Sequence, residues 1–160
     1  MEINFLALLV AALSTLVVGF IWYNPKVFGN IWMRESGVTE EKIKGGNIAL
    51  TMLMAYVYAF FISVVLWSLV IHQMGANSAT VNIKGVDPSI LKNYMDAYGT
   101  TYRTFGHGAI HGFIAGLFFA LPVVGVNALF ERRSWKYTLI AGGYWVVTCL
   151  LMGGIICQWM

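Results

Sequence analysis

Charge is what this sequence lacks. No Asp, Glu, Lys or Arg occurs within four long stretches of the 160-residue chain, which are 3–25, 45–83, 104–130 and 137–160. Charged residues make up 11% of the chain, against about 25% in a soluble domain. Each stretch is longer than the roughly 20 apolar residues that cross a bilayer as a helix. The stretches also lack the strict alternation of barrel strands, which leaves helices as the way to pair their backbone amides in lipid.

The sequence therefore predicts an all-α integral membrane protein, a single four-helix bundle over 1–160. The predicted spans are about 3–23, 48–71, 108–130 and 137–159, with a long loop over 73–105. Thr39 before two glutamates and Asp87 before Pro88 are typical helix starts, so short interfacial helices are predicted in the loops.

Basic residues predict the orientation of the bundle, because Lys and Arg concentrate in cytoplasmic connections. Seven of the ten lie in the first and third connections: Lys26, Arg34, Lys42, Lys44, Arg132, Arg133 and Lys136. We expect a protein of the bacterial inner membrane with both termini and the 73–105 loop on the outer, periplasmic face.

Small residues recur every four positions along the spans, which allows close helix packing in lipid. The strongest row is Gly108, Gly112 and Gly116, and Gly142 and Gly153 continue the pattern in the last span. Such a glycine zipper predicts either assembly of one bundle or an interface between protomers.

Cysteine is also scarce. Cys149 and Cys157 are eight residues apart on one predicted helix, about 12 Å of rise, which is too far for a disulfide between them. No motif of known catalysis accompanies them. We therefore expect no catalytic residues and no cofactor, and the sequence favours a protein that is not an enzyme. Membrane lipids are the expected partners, and no nucleic acid is expected.

All three histidines are predicted to lie at the same membrane face. His107 and His111 are four residues apart and therefore project from one helical face, which is typical of two ligands for one metal ion. The sequence leaves three candidates for the third ligand of a metal or haem site, which are His72, Asp96 and Tyr102. The alternative role is polar contact at the membrane interface.

Two further groups are candidate sites at the predicted cytoplasmic end. One is a polar cluster of Asn127, Glu131 and Arg132 at the end of the third span. The other is an interfacial aromatic motif that follows the first span, in which Pro25 stops the helix: Trp22, Tyr23, Pro25, Phe28, Gly29 and Trp32.

The aromatic motif, together with His107-Gly108-x-x-His111-Gly112 and Asn127-x-x-Phe130-Glu131, resembles the pattern of an uncharacterised family of small, mainly bacterial membrane proteins, the domain of unknown function numbered seventeen-sixty-one. The resemblance implies four membrane helices and no established activity.

We therefore expect a non-enzymatic membrane module that self-associates as a homo-oligomer or serves as an accessory subunit of a larger membrane complex. The alternatives are an oligomeric transporter or channel-like protein and a metal- or haem-binding protein that uses the histidines.

Overall fold

The computed structural model describes residues 3–81, 83–85 and 87–160. Four of its helices are long and apolar enough to cross a membrane, which confirms the predicted fold class: Phe5–Trp22, Ile48–Val70, Phe105–Phe130 and Trp135–Trp159. We refer to them as the first to fourth spanning helices. No strand occurs within the described ranges.

Side-chain caps explain where the spanning helices begin. The third helix starts at Phe105 rather than near 108, because the Thr104 side chain accepts a hydrogen bond from the His107 backbone N–H. The fourth starts at Trp135 rather than near 137, since Ser134 caps it in the same way. Asn4 and Asn47 cap the first and second. The predicted spans are thus correct in number, with ends that shift by a few residues.

The fourth spanning helix is the centre of the bundle and packs against the other three. Half of its most apolar stretch is buried within the protein, against 11% for the second and third helices. The outer faces of those two helices carry large exposed apolar side chains, as lipid contact requires.

The glycine row of the third helix faces the fourth helix of the same chain. A Cβ on Gly108 would overlap the Gly153 carbonyl, and one on Gly112 would overlap the Cys149 carbonyl. Gly116 lies against the backbone of Val146 in the same manner. The backbones therefore meet directly, and this row is filled from within one chain, which leaves no room on it for a second protomer.

Short helices occupy the connections, as predicted. Asn30–Ser36 and Glu40–Lys44 lie between the first two spans, and Thr39 caps the latter. His72–Thr80 and Pro88–Tyr98 lie between the second and third spans, and Asp87 accepts a hydrogen bond from the Ser89 backbone N–H.

The aromatic motif after the first span forms a wide helical turn over Pro25–Gly29. The Trp22 ring lies 4.6 Å from that of Phe28, and its indole N–H donates to the Ile140 carbonyl at 3.0 Å. The ring centroids of Tyr23 and Trp32 lie 5.2 Å apart. A Cβ on Gly29 would overlap the Tyr23 carbonyl, so the turn requires a glycine there. The motif thus docks the first connection onto the fourth helix.

Candidate metal site

Two separate parts of the chain bring the histidines to one end of the bundle, which we call the histidine end. His107 and His111 stand one turn apart at the start of the third spanning helix. The second helix stops at Val70, and Ile71 turns the chain with an extended backbone, φ −102° and ψ 99°. His72 follows at once, as the first residue of the next short helix.

The three imidazole rings converge on one point. The Nε2 atom of His72 lies 3.0 Å from that of His107 and 3.1 Å from that of His111. One ligand nitrogen from each ring lies within 4.8 Å of the other two. Ligand nitrogens about 3.3 Å apart surround a tetrahedral zinc ion with Zn–N bonds of about 2.0–2.1 Å. The two separations from His72 are close to this value, and the His107–His111 pair lies within 4.8 Å, so the cluster would hold such an ion with those two rings drawn towards it.

Hydrogen bonding alone satisfies this arrangement poorly. A neutral imidazole has one N–H donor and one lone pair, on different ring nitrogens. The His72 Nε2 faces two other ring nitrogens, yet it offers either one N–H or one lone pair. A metal ion bound at the centre would accept a lone pair from each ring at the same time.

Of the three residues considered as the third ligand, the structure brings His72 to the pair. Asp96 instead forms an ion pair with Lys92 on its own helix. Tyr102 contributes its ring, which stacks on His107 at 4.9 Å with an angle of 19° between the planes. The backbone of Tyr102 has φ 64°, a conformation that residues other than glycine rarely adopt.

Buried polar groups hold the segments that carry the histidines. Gln73 is 2% exposed, and its side-chain amide donates to the carbonyls of Tyr98 and Thr101 at 2.6 and 3.1 Å. The Cys157 sulfur lies 3.3 Å from the Tyr102 carbonyl. These contacts tie His72 to the segment that leads into His107. The sequence analysis missed Gln73, although a Gln next to a His in a charge-free stretch was a signal.

The order His-Gly-x-x-His-Gly acquires a physical meaning here. Gly108 and Gly112 press the third helix against the fourth. Each histidine precedes its glycine by one residue, or about 100° around the helix, and so projects from a neighbouring face. That face meets His72, which makes close packing and ligand placement parts of one motif.

The predicted polar cluster at the opposite end joins two connections. Glu131 lies 3.3 Å from Arg133, and Arg132 ends the helix with φ 56°. The Asn127 carbonyl accepts a hydrogen bond from the Glu131 backbone N–H. The Arg133 guanidinium also donates to the Ser36 carbonyl.

Ser134 and Glu35 complete this contact. The Ser134 hydroxyl donates to the Glu35 carboxylate at 2.6 Å, and Arg34 lies 2.9 Å from the same carboxylate. The Ser134 hydrogen bond and then Arg34 hold the pKa of Glu35 below its usual range. The arrangement fastens the first connection to the third, which is a structural role.

Three apolar helices around a half-buried fourth one, with polar contacts concentrated at the two ends, define a four-helix membrane-type bundle. The chain belongs to the family described as "Protein of unknown function (DUF1761)", whose model matches residues 6–157. The family predicted from the motifs is thereby confirmed. No curated protein and no solved structure matches the chain.

Proposed function

We propose that this protein binds one divalent transition-metal ion through His72, His107 and His111 at the histidine end of the bundle. The convergence of three imidazole nitrogens from distant parts of the chain carries the proposal. Imidazole ligands suit zinc, copper, nickel and iron, and an all-histidine set with one open position is most familiar with zinc.

The open coordination position is central to this function. His72 is exposed, and the other two histidines are half-buried, so the site is reachable from the aqueous face. Three protein ligands leave room for water or an exogenous donor as the fourth. The protein would therefore hold a metal ion in an exchangeable form, as a binding module of the membrane.

Zinc binding to the purified wild-type protein tests the proposal. After removal of metal with a chelator, equilibrium dialysis against Zn²⁺ should load one ion per chain. Because bound imidazoles must be neutral, loading should fall as the solution is acidified. The chain has only three histidines, so a variant with all three replaced by Gln is a complete control. Equal loading of that variant, or no stoichiometric loading of the wild type, would refute the proposal.

From the distribution of basic residues we propose that the histidine end lies on the outer face of the membrane. Cysteine labelling tests this orientation. Ser78 is exposed near the histidine end, and the Lys44 side chain is 78% exposed in the first connection. The two native cysteines are buried, so we expect little background labelling from them.

In intact cells, an impermeant thiol reagent should label a cysteine at Ser78 but should label one at Lys44 only after the membrane is opened. The reverse pattern would place the histidine end in the cytoplasm.

Self-association or membership of a larger membrane complex stays a prediction. If copies associate, they must use faces other than the glycine row of the third helix, which the fourth helix covers. The exposed apolar side of the second helix is available for this. A transport path through one chain is disfavoured because the only charged residue in the four spanning helices is Lys136, in the first turn of the fourth.

A further inference from the structure

A cavity lies at the end of the bundle opposite the histidines, between the first, second and fourth spanning helices. Its volume is about 710 Å³, within the 300–1,000 Å³ range of pockets for small organic ligands. Aromatic rings dominate its wall, contributed by Tyr23, Trp32, Tyr58, Tyr137, Tyr144 and Trp145. We call it the tyrosine cavity.

The polar groups on the lining side chains of the tyrosine cavity are uncharged. They are four tyrosine hydroxyls, the Thr15 hydroxyl and the indole N–H groups of Trp32 and Trp145, and no charged side chain among the described residues lines it. The Tyr144 hydroxyl donates to the Thr15 carbonyl at 3.0 Å and keeps a lone pair for accepting. The Tyr23 and Tyr144 rings lie 5.3 Å apart. The chemistry on offer is therefore ring stacking together with neutral hydrogen bonds.

A lateral cleft lies beside this cavity. The cleft has a volume of about 420 Å³, lies between the second and third helices and has an almost entirely apolar lining. Val124 and Trp145 line both the cleft and the tyrosine cavity. The far end of the cleft includes Leu69, three residues before His72, and Ala115, four residues after His111. Because the two spaces share lining residues, a head group in the cavity lies next to the cleft.

We propose that the tyrosine cavity binds the head of a neutral membrane lipid with a planar, carbonyl-bearing ring, the chemistry of a quinone. The ring stacks against the aromatic side chains, and its carbonyl oxygens accept hydrogen bonds from the hydroxyls of Tyr23, Tyr58 or Tyr137, because the Tyr144 hydroxyl already donates to Thr15. The hydrocarbon tail lies in the cleft. An ionic head would lose its hydration with no opposite charge in the wall to replace it. The site involves neither the histidines nor a metal.

Tryptophan fluorescence provides the test, because quinones quench indole emission and Trp145 lines both parts of the site. The wild-type protein in nanodiscs is titrated with a benzoquinone that carries a decyl tail. We expect saturable quenching above the linear background of partitioning, and we expect the double variant Trp32→Phe and Trp145→Phe to lose most of the saturable component, because both indoles line the cavity.

Matched variants of the second helix assign the quenching to the cavity. Ala55 lines it, so Ala55→Phe fills part of it and should raise the Kd at least tenfold. Leu53 is 57% exposed on the lipid side, and Leu53→Phe should leave the Kd unchanged. Tyr23→Phe keeps the ring and removes one hydroxyl, so a several-fold rise in Kd is expected even if Ala55→Phe fails to fold.

Three results would overturn the proposal. The first is the absence of saturable quenching. The second is a Kd that neither Ala55→Phe nor Tyr23→Phe changes. The third is displacement of the quinone by tetrapropylammonium. Aromatic walls also bind quaternary ammonium ions, so this result would identify a cation site instead.

Discussion

Replacing Gly112 by leucine is expected to destabilise the bundle by about 3 kcal/mol or more, the upper range for overpacking a close contact. A Cβ at this position would meet the Cys149 carbonyl oxygen and the Leu150 Cα. These are backbone atoms, which cannot rotate aside as a side-chain end can. The third and fourth helices would have to separate along the whole glycine row.

The measurement is thermal unfolding in mild detergent, followed by the elution volume of the surviving folded fraction. Gly106 is the matched control, because it lies on the same helix with nothing within 4 Å of an added Cβ. Gly106→Leu should change the melting temperature far less than Gly112→Leu. Similar losses in both variants would contradict the packing described for the third and fourth helices.

Removing any one histidine is expected to weaken zinc binding by about 100-fold or more. Each substitution leaves two imidazoles, and changes to supporting residues alone already cost about 10- to 100-fold. His72 is expected to matter as much as the other two, because its Nε2 lies within 3.1 Å of both. The measurement is competition for Zn²⁺ against a chelator indicator with His72→Ala, His107→Ala and His111→Ala.

Gln73→Leu separates positioning from ligation. It keeps all three imidazoles and removes the amide that bonds the Tyr98 and Thr101 carbonyls. We expect an affinity loss of about tenfold, with one zinc ion per chain retained at saturation. Unchanged zinc affinity in the three single-histidine variants would show that the rings are interfacial polar groups and bind no metal together.

Sequence alone was sufficient for the local features of this protein. The charge-free stretches predicted four spanning helices because unpaired backbone groups are costly in lipid. Thr39 and Asp87 marked the starts of short helices through their capping side chains. The four-residue spacing of His107 and His111 placed both on one helical face. Each of these depends on residues within a few positions of one another.

Tertiary structure decided what meets across the bundle. Periodicity showed that the Gly108–Gly116 face allows close approach, but either the fourth helix or a second protomer could have satisfied it. His72 is 35 residues from His107, and its meeting with the pair depends on the extended turn at Ile71 and on the depth of the glycine contact. The tyrosine cavity likewise is lined by residues from all four spanning helices, so no single segment of the sequence indicates it. Helix packing in lipid is governed by the fit of whole surfaces rather than by one residue pattern, and that fit exists only in the assembled bundle.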